Sequence, residues 1–280
     1  MTPRLAKAIE IVVEAGVGTL DYFNKGVGVE LKGDSSPVTA ADKGAEALVR
    51  RRVAEMFPGE IVLGEEEGEF AGAGAGRASK MGSGEMILGE EEGQAEAGDT
   101  RWVVDPIDGT KSFVCGVPLY ATLLSYEVEG RPVLGVVYFP ALDELFYAER
   151  GGGAFWNHKP IRVQEQPEMN RCVVCSGSLN SLEKYGRFEG VMNLAKPMMA
   201  HRTWSDAYGH MLVASGRVQA MLDPVVSRWD VSAVIPIVEE AGGVCMKFDG
   251  SDVLDGGLPD HQLELISTVP GLKTAIMESF

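Results

Sequence analysis

Residues 102–113 read WVVDPIDGTKSF, an apolar run of strand character that ends in two aspartates, a proline, a glycine and a threonine. Asp105 and Asp108 stand three apart on a tight turn at a strand end. Such a turn can aim both carboxylates, and the intervening Ile107 carbonyl, at one point. All-oxygen coordination from a short segment suits a hard cation such as Mg²⁺. Gly109 and Thr110 follow where the chain enters a helix or turn, and their backbone N–H groups are well placed for phosphate. Metal plus phosphate is the expectation; the plainer alternative is a capped turn with solvated carboxylates.

Composition narrows the partners. At 280 residues the chain can bury a substantial core, as one large domain or two intimate halves. A net charge of −16 disfavours nucleic acid or an anionic membrane as partner. An acidic protein that handles phosphate esters must recruit cations locally, so charge and metal agree. No apolar run reaches the roughly 18 residues of a membrane span. The start, MTPRLAKAIEIVVEAG, has helical periodicity and no signal-peptide pattern, which points to a cytoplasmic protein. Four cysteines make no disulfide framework; Cys172-x-x-Cys175 lies in an apolar strand and reads as buried structural thiols.

Periodicity predicts an amphipathic helix over about Leu5–Phe23, strand alternation over Val27–Lys32, and a second helix from Thr39 or Ala40 to about Met56. Strands are expected at 102–105, 119–128, 132–140 and 144–149. A Gly-rich loop over Gly151–Pro160 and a strand Ile161–Val163 follow. After Met169 strands and helices alternate: strand Cys172–Ser176, helix Leu179–Phe188, helix Trp204–Ser215, strand Ala220–Leu222, helix Val231–Ala241, strands Val244–Phe248 and Leu263–Ser267, and a last helix from Pro270. The pattern is α+β over residues 1–168 and α/β over 169–280. One segment is anomalous: GEIVLGEEEG at 59–68 recurs as GEMILGEEEG at 84–93, with a Gly/Ala/Ser-rich insertion between. It reads as a local duplication of which one copy occupies the native strand.

DPIDGT, the GEE strings and the distal Trp229-Asp230 occur in the order found in the inositol monophosphatase-like family, Mg²⁺-dependent phosphatases of small phosphate monoesters, and the chain resembles that family from about Leu5 to Thr268. The resemblance implies a layered αβαβα sandwich, two or three Mg²⁺ ions per site, and a homodimer. It implies metal ligands at Asp105, Asp108, Asp230, the Ile107 carbonyl and a GEE glutamate. Glu65 has the family's upstream context and Glu90 its usual spacing to Asp105, so both stay candidates, with Glu65 slightly favoured. Lys32–Glu46 (KGDSSPVTAADKGAE) resembles the family's K-x-D-x-S-P-V-T-x-A-D segment. It puts Asp42 where it would hydrogen-bond Thr110 and accept the proton of the attacking water, with Lys32–Ser36 as a flap. Gly109 and Thr110 would hold phosphate oxygens. Asp42 and Asp230 each also read as helix-start acids that cap or face a helix dipole.

The segment HRTWSDAYGHMLVASGR (201–217) resembles the histidinol-phosphate phosphatase branch, with Ser205 in place of that branch's glycine. L-Histidinol phosphate carries a protonated amine and an imidazole, which an added carboxylate, Asp206, can meet; Arg202 would steady Asp206 or the phosphate. Trp204, Tyr208 and Leu212 fall on one helical face and read as core, His210 as a packing or surface residue. Inositol 1-phosphate or fructose 1,6-bisphosphate is the runner-up substrate. A regulator that binds metal and phosphate without turnover is the non-enzyme alternative.

Overall fold

The computed structural model describes residues 1–26, 28–31, 37–71, 100–166, 168–255 and 259–280. Helix α1 (Pro3–Thr19) is capped by the Thr2 hydroxyl, and α2 (Ala40–Met56) follows a short hairpin of β1 (Val29–Leu31) and β2 (Pro37–Thr39). Then come β3 (Ile61–Gly64), β4 (Gly68–Ala71), β5 (Thr100–Asp108), α3 (Thr110–Val114), β6 (Ala121–Val128), β7 (Arg131–Phe139), β8 (Glu144–Glu149), β9 (Ala154–Trp156) and β10 (Lys159–Ile161). Among the described residues, these last strands form one eight-stranded sheet in the order β10-β9-β8-β7-β6-β5-β3-β4, antiparallel except for the β3–β5 pair.

Period-two alternation assigns its faces. Trp102, Val104, Leu124, Leu134 and Val136 pack under α1 and α2. Leu123, Val137, Phe139 and Phe146 point the other way, onto helices contributed by the C-terminal part. That part comprises β11 (Val173–Ser176), α4 (Leu179–Lys184), α5 (Phe188–Ala195), β12 (Ala200–Arg202), α6 (Asp206–Ala214), β13 (Ala220–Val226), α7 (Arg228–Ser232), α8 (Val234–Glu240), β14 (Val244–Met246), β15 (Leu263–Thr268) and α9 (Lys273–Met277). Its sheet runs β12-β11-β13-β15-β14. One face is covered by α4, α5 and α9, and α6 and α8 fill the space between the two sheets. The result is the αβαβα sandwich.

Tight contact at Gly135 of β7 fastens the middle layer. A Cβ there would clash with the Ala233 carbonyl oxygen, at the α7–α8 junction. Behind it, buried Glu127 of β6 accepts hydrogen bonds from Arg101, Arg228 and Ser232 (2.7–3.0 Å), so α7 is pinned to the first sheet by both its ends.

Several elements differ from expectation. The supposed loop 151–160 contains the β9–β10 hairpin, turned by Asn157 and His158 at φ 45° and 64°. Two successive left-handed residues give a turn whose twist matches the strands. The helix expected over 179–188 splits into α4 and α5 where Gly186 takes φ 69°, and that over 231–241 splits into α7 and α8. Strand β12 had no periodic signal of its own. Trp204 precedes α6, so it escapes the helical face and stands 41% exposed. Cys172 and Cys175 are free and fully buried, and burial pushes the Cys175 thiol up to about 12.

Candidate active site

A strict strand would send Asp105 and Asp108, three apart, to opposite faces. The β5–β6 ladder instead slips between them: Asp105 pairs Leu123 and Asp108 pairs Ala121. The extra residue re-aims Asp108 as a β-bulge does, and the Thr122 hydroxyl ties the bulge through the Pro106 carbonyl at 2.8 Å. Both carboxylates then face the start of α7. One ligand oxygen each from Asp105, Asp108 and Asp230 lies within 4.8 Å of the others.

Asp230 does two jobs at that helix start. Its Oδ2 accepts the Ser227 N–H at 2.7 Å in a reciprocal capping box, and its carboxyl lies against that of Asp105. Capping and clustering are therefore not alternatives. Asp108 Oδ2 accepts the N–H of Ala207 at the start of α6 (2.7 Å), whereas the buried Asp105 Oδ1 has no hydrogen-bond partner. Burial is the largest cause of an upward push on all three; neighbouring acids add to it at Asp105 and Asp108, whereas hydrogen bonds from Ser227 and Asp105 oppose it at Asp230. Asp105 and Asp108 rise well above the usual carboxylate range and Asp230 to about 6. Packed acids with an orphaned buried oxygen are what a hard divalent cation would satisfy.

Glu65 lines the same cavity, together with Ile107, Gly109, Thr110, Lys111 and Asp206. It sits on the β3–β4 turn, which α2 grips from below. Buried Glu46 accepts the N–H groups of Glu66 and Glu67 (2.8 and 3.1 Å), and Arg50 reaches the carbonyls of Val62 and Gly68 on either side. The first GEE copy thus enters the site through a helix that holds its backbone. Glu90 and the second copy, like the Lys32–Ser36 flap, lie outside the described residues.

Gly109 joins β5 to α3 at φ 77°, and a Cβ there would crowd both the Leu119 carbonyl and the Asp206 carboxylate at 3.2 Å. Thr110 follows as the first residue of α3. Its hydroxyl donates to the Ile107 carbonyl at 3.1 Å rather than to Asp42. Asp42 is fully buried at the third position of α2, where its Oδ2 accepts from the Thr39 N–H (2.8 Å) and hydroxyl (2.6 Å). The expected Asp42–Thr110 bond is thereby replaced by bonds within each residue's own turn. The two segments still meet, because Ala41 packs with Ile107 and Phe113.

Asp206 follows the N-cap Ser205 with a left-handed backbone, φ 59°, a conformation that aspartate tolerates better than most residues. Its half-buried carboxyl faces the acid cluster and is pushed up to about 6 by burial and by Asp223, with Lys111 opposing. Arg202 does not steady it. That guanidinium is exposed and donates to its own neighbour, the His201 carbonyl, at 2.8 Å. Lys111 is the cation beside Asp206 instead.

Sequence reading missed Asp223 and underrated His210. Both line a partly open cavity of about 90 Å³ that continues past the triad, with Asp108, Asp206 and Asp230. The sole signal for Asp223 was a carboxylate closing an apolar strand seven residues before Asp230.

Comparison with known proteins agrees with this architecture. The model of the inositol monophosphatase family matches residues 1–278. A histidinol-phosphatase of Chlorobaculum parvum is 42% identical over 258 residues, 91% of this chain and 90% of that one. A Thermotoga maritima protein named fructose-1,6-bisphosphatase/inositol-1-monophosphatase is 32% identical over 251 residues, 89% and 86% of the two chains. The extragenic suppressor protein suhB of Bartonella henselae superposes with a TM-score of 0.82 at 25% identity, covering 99% of this chain and 98% of that one.

Proposed function

The chain belongs to the inositol monophosphatase family and is a phosphoric monoester hydrolase, and on that footing we propose that its substrate is L-histidinol phosphate, cleaved to L-histidinol and phosphate as a step of histidine biosynthesis. The observation that carries the choice is the carboxylate pair Asp206 and Asp223 bordering the cavity beyond the acid triad. A protonated amine finds complementary charge there, whereas a neutral polyol brings no charge to meet those acids.

In this reading Asp105, Asp108, Asp230, Glu65 and the Ile107 carbonyl hold two or three Mg²⁺ ions. When bound, Mg²⁺ supplies positive charge that favours deprotonation of water and neutralises the departing oxygen. The chain does the rest by position. N–H groups of Gly109 and Thr110 orient the phosphate oxygens, and Lys111 balances charge at the rim. The Thr110 hydroxyl donates its proton's hydrogen bond to the Ile107 carbonyl, which leaves its oxygen lone pairs to accept from the attacking water. On family resemblance the Asp42 carboxylate takes the water's proton; the new P–O bond forms in line as the ester P–O bond breaks, and the leaving alkoxide takes a proton from solvent. We read the working unit as a homodimer, on family resemblance, which size-exclusion chromatography with light scattering tests.

Phosphate release from histidinol phosphate, inositol 1-phosphate and fructose 1,6-bisphosphate, with and without Mg²⁺, tests the substrate. Histidinol phosphate should give the highest kcat/KM, and Asp206→Ser should reduce it selectively. Preference for either other ester would replace the assignment, and no release from any would favour a binding role.

A further inference from the structure

We propose that His210 is a positioning residue for substrate selection: backed by Ser267, it fixes the Asp223 carboxylate that, with Asp206, receives a cationic group of the substrate. The inference rests on the histidinol phosphate reading of the same site.

His210 is 2% exposed, and both ring nitrogens are engaged. Nε2 lies 3.1 Å from Asp223 Oδ2, and Nδ1 lies 2.8 Å from Ser267 Oγ. The three come from α6, β13 and β15, so the fold brings them together rather than the local sequence. A carboxylate only accepts, so Nε2–H donates to Asp223 Oδ2, while Nδ1 pairs with the Ser267 hydroxyl. Ser267 is fully buried, with Cys245 Sγ as its further neighbour at 3.8 Å.

An apolar side chain would fill this place at less cost, since each buried polar group must be desolvated. What the imidazole adds is a donor aimed at one oxygen of Asp223. Without it, a carboxylate that shares a small cavity with Asp108, Asp206 and Asp230 would turn away under like-charge repulsion. Asp206 and His210 stand four apart on α6 and so share a face. One helix thus presents the first carboxylate directly and orients the second, across a space of about 90 Å³ that suits a group of alkylammonium size.

The test compares His210→Leu, His210→Gln and Ser267→Ala with the wild-type enzyme in Mg²⁺. The readouts are kcat and KM for histidinol phosphate and for 4-nitrophenyl phosphate, which has no cation, and the Ki of L-histidinol against the latter. Leucine should raise the histidinol phosphate KM and the L-histidinol Ki about tenfold, the loss of one hydrogen bond to a charged group, without a matching rise for the nitrophenyl ester. Glutamine, which keeps a donor near Nε2, should restore both. Ser267→Ala should move them the same way by less, and it carries the test should the leucine variant not fold. Equal losses on both esters, no change on either, or failure of glutamine to rescue would overturn the proposal. A wild-type enzyme that cleaves the nitrophenyl ester but neither cleaves histidinol phosphate nor binds L-histidinol would instead sink the substrate assignment.

Discussion

Asp105 concentrates the conflict that makes this site. It is 2% exposed, one of its oxygens is orphaned, and Glu65, Asp108 and Asp230 all raise its proton affinity. Replacing it should therefore separate function from stability. Asp105→Asn is expected to lower Mg²⁺-dependent turnover on the order of a thousandfold. The same change should raise the Tm of the protein in EDTA by a few degrees, because it removes a buried like charge. A drop in Tm would show that the acids are not in net repulsion. The cluster also sets a pH dependence. Asp206 and Asp230 are raised to about 6 from an ordinary value near 4, so the folded protein keeps protons that the unfolded chain has lost. Their stabilising contribution is complete below about pH 4 and is lost as pH rises through about 6. Urea unfolding in EDTA should show that decline, and saturating Mg²⁺, which binds the folded form, should flatten it. At this scale the sequence was legible wherever a side chain sat in a recognisable string, as Asp105, Asp108 and Asp230 do. It was silent on Asp223 and read His210 only as a packing or surface residue, because the meaning of each depends on a partner 13 residues away across a strand and a helix.

Among elements, the β3–β4 turn shows how two nearly identical strings come to have different standing. Both carry LGEEEG, so nothing local separates Glu65 from Glu90. What distinguishes the first is Glu46, about 20 residues upstream on α2, whose carboxylate accepts that turn's N–H groups and pairs with buried Arg50 at 2.7 Å. Glu46→Ala would strand the arginine and two backbone donors, costing about 3–5 kcal/mol by urea unfolding. It should also weaken Mg²⁺ binding by titration calorimetry, since Glu65 loses its support. Glu65→Gln should raise the half-saturating Mg²⁺ concentration about tenfold or more, the loss of a charged ligand, with a smaller effect from Glu90→Gln. The reverse ranking would transfer the ligand to the second copy. The β-bulge was equally hidden. Period two, which correctly divides Leu123 from Leu124 and Val136 from Val137, would have placed Asp105 and Asp108 on opposite faces. A register slip depends on the partner strand, and one strand's sequence does not display it.

For the molecule as a whole, the alternation of strands and helices announced the layers, but not how they lock. The lock is the α7–α8 junction, which carries Asp230 and presses on Gly135 while Arg228 and Ser232 clasp Glu127. Gly135→Ala sets a methyl against the Ala233 carbonyl, where neither backbone can yield cheaply. It should lower stability by about 1–3 kcal/mol or more and, by shifting α7, weaken Mg²⁺ affinity in parallel. Unchanged affinity in a destabilised variant would show that α7 is held independently of the sheet. The same lock has a temporal side. Asp105 is made early during synthesis and Asp230 more than a hundred residues later, on a helix that follows a strand of the other sheet. A chain still emerging from the ribosome carries its first acids with nothing to close on, and gains the power to cut an ester only once Asp230 and the helix that carries it have been released.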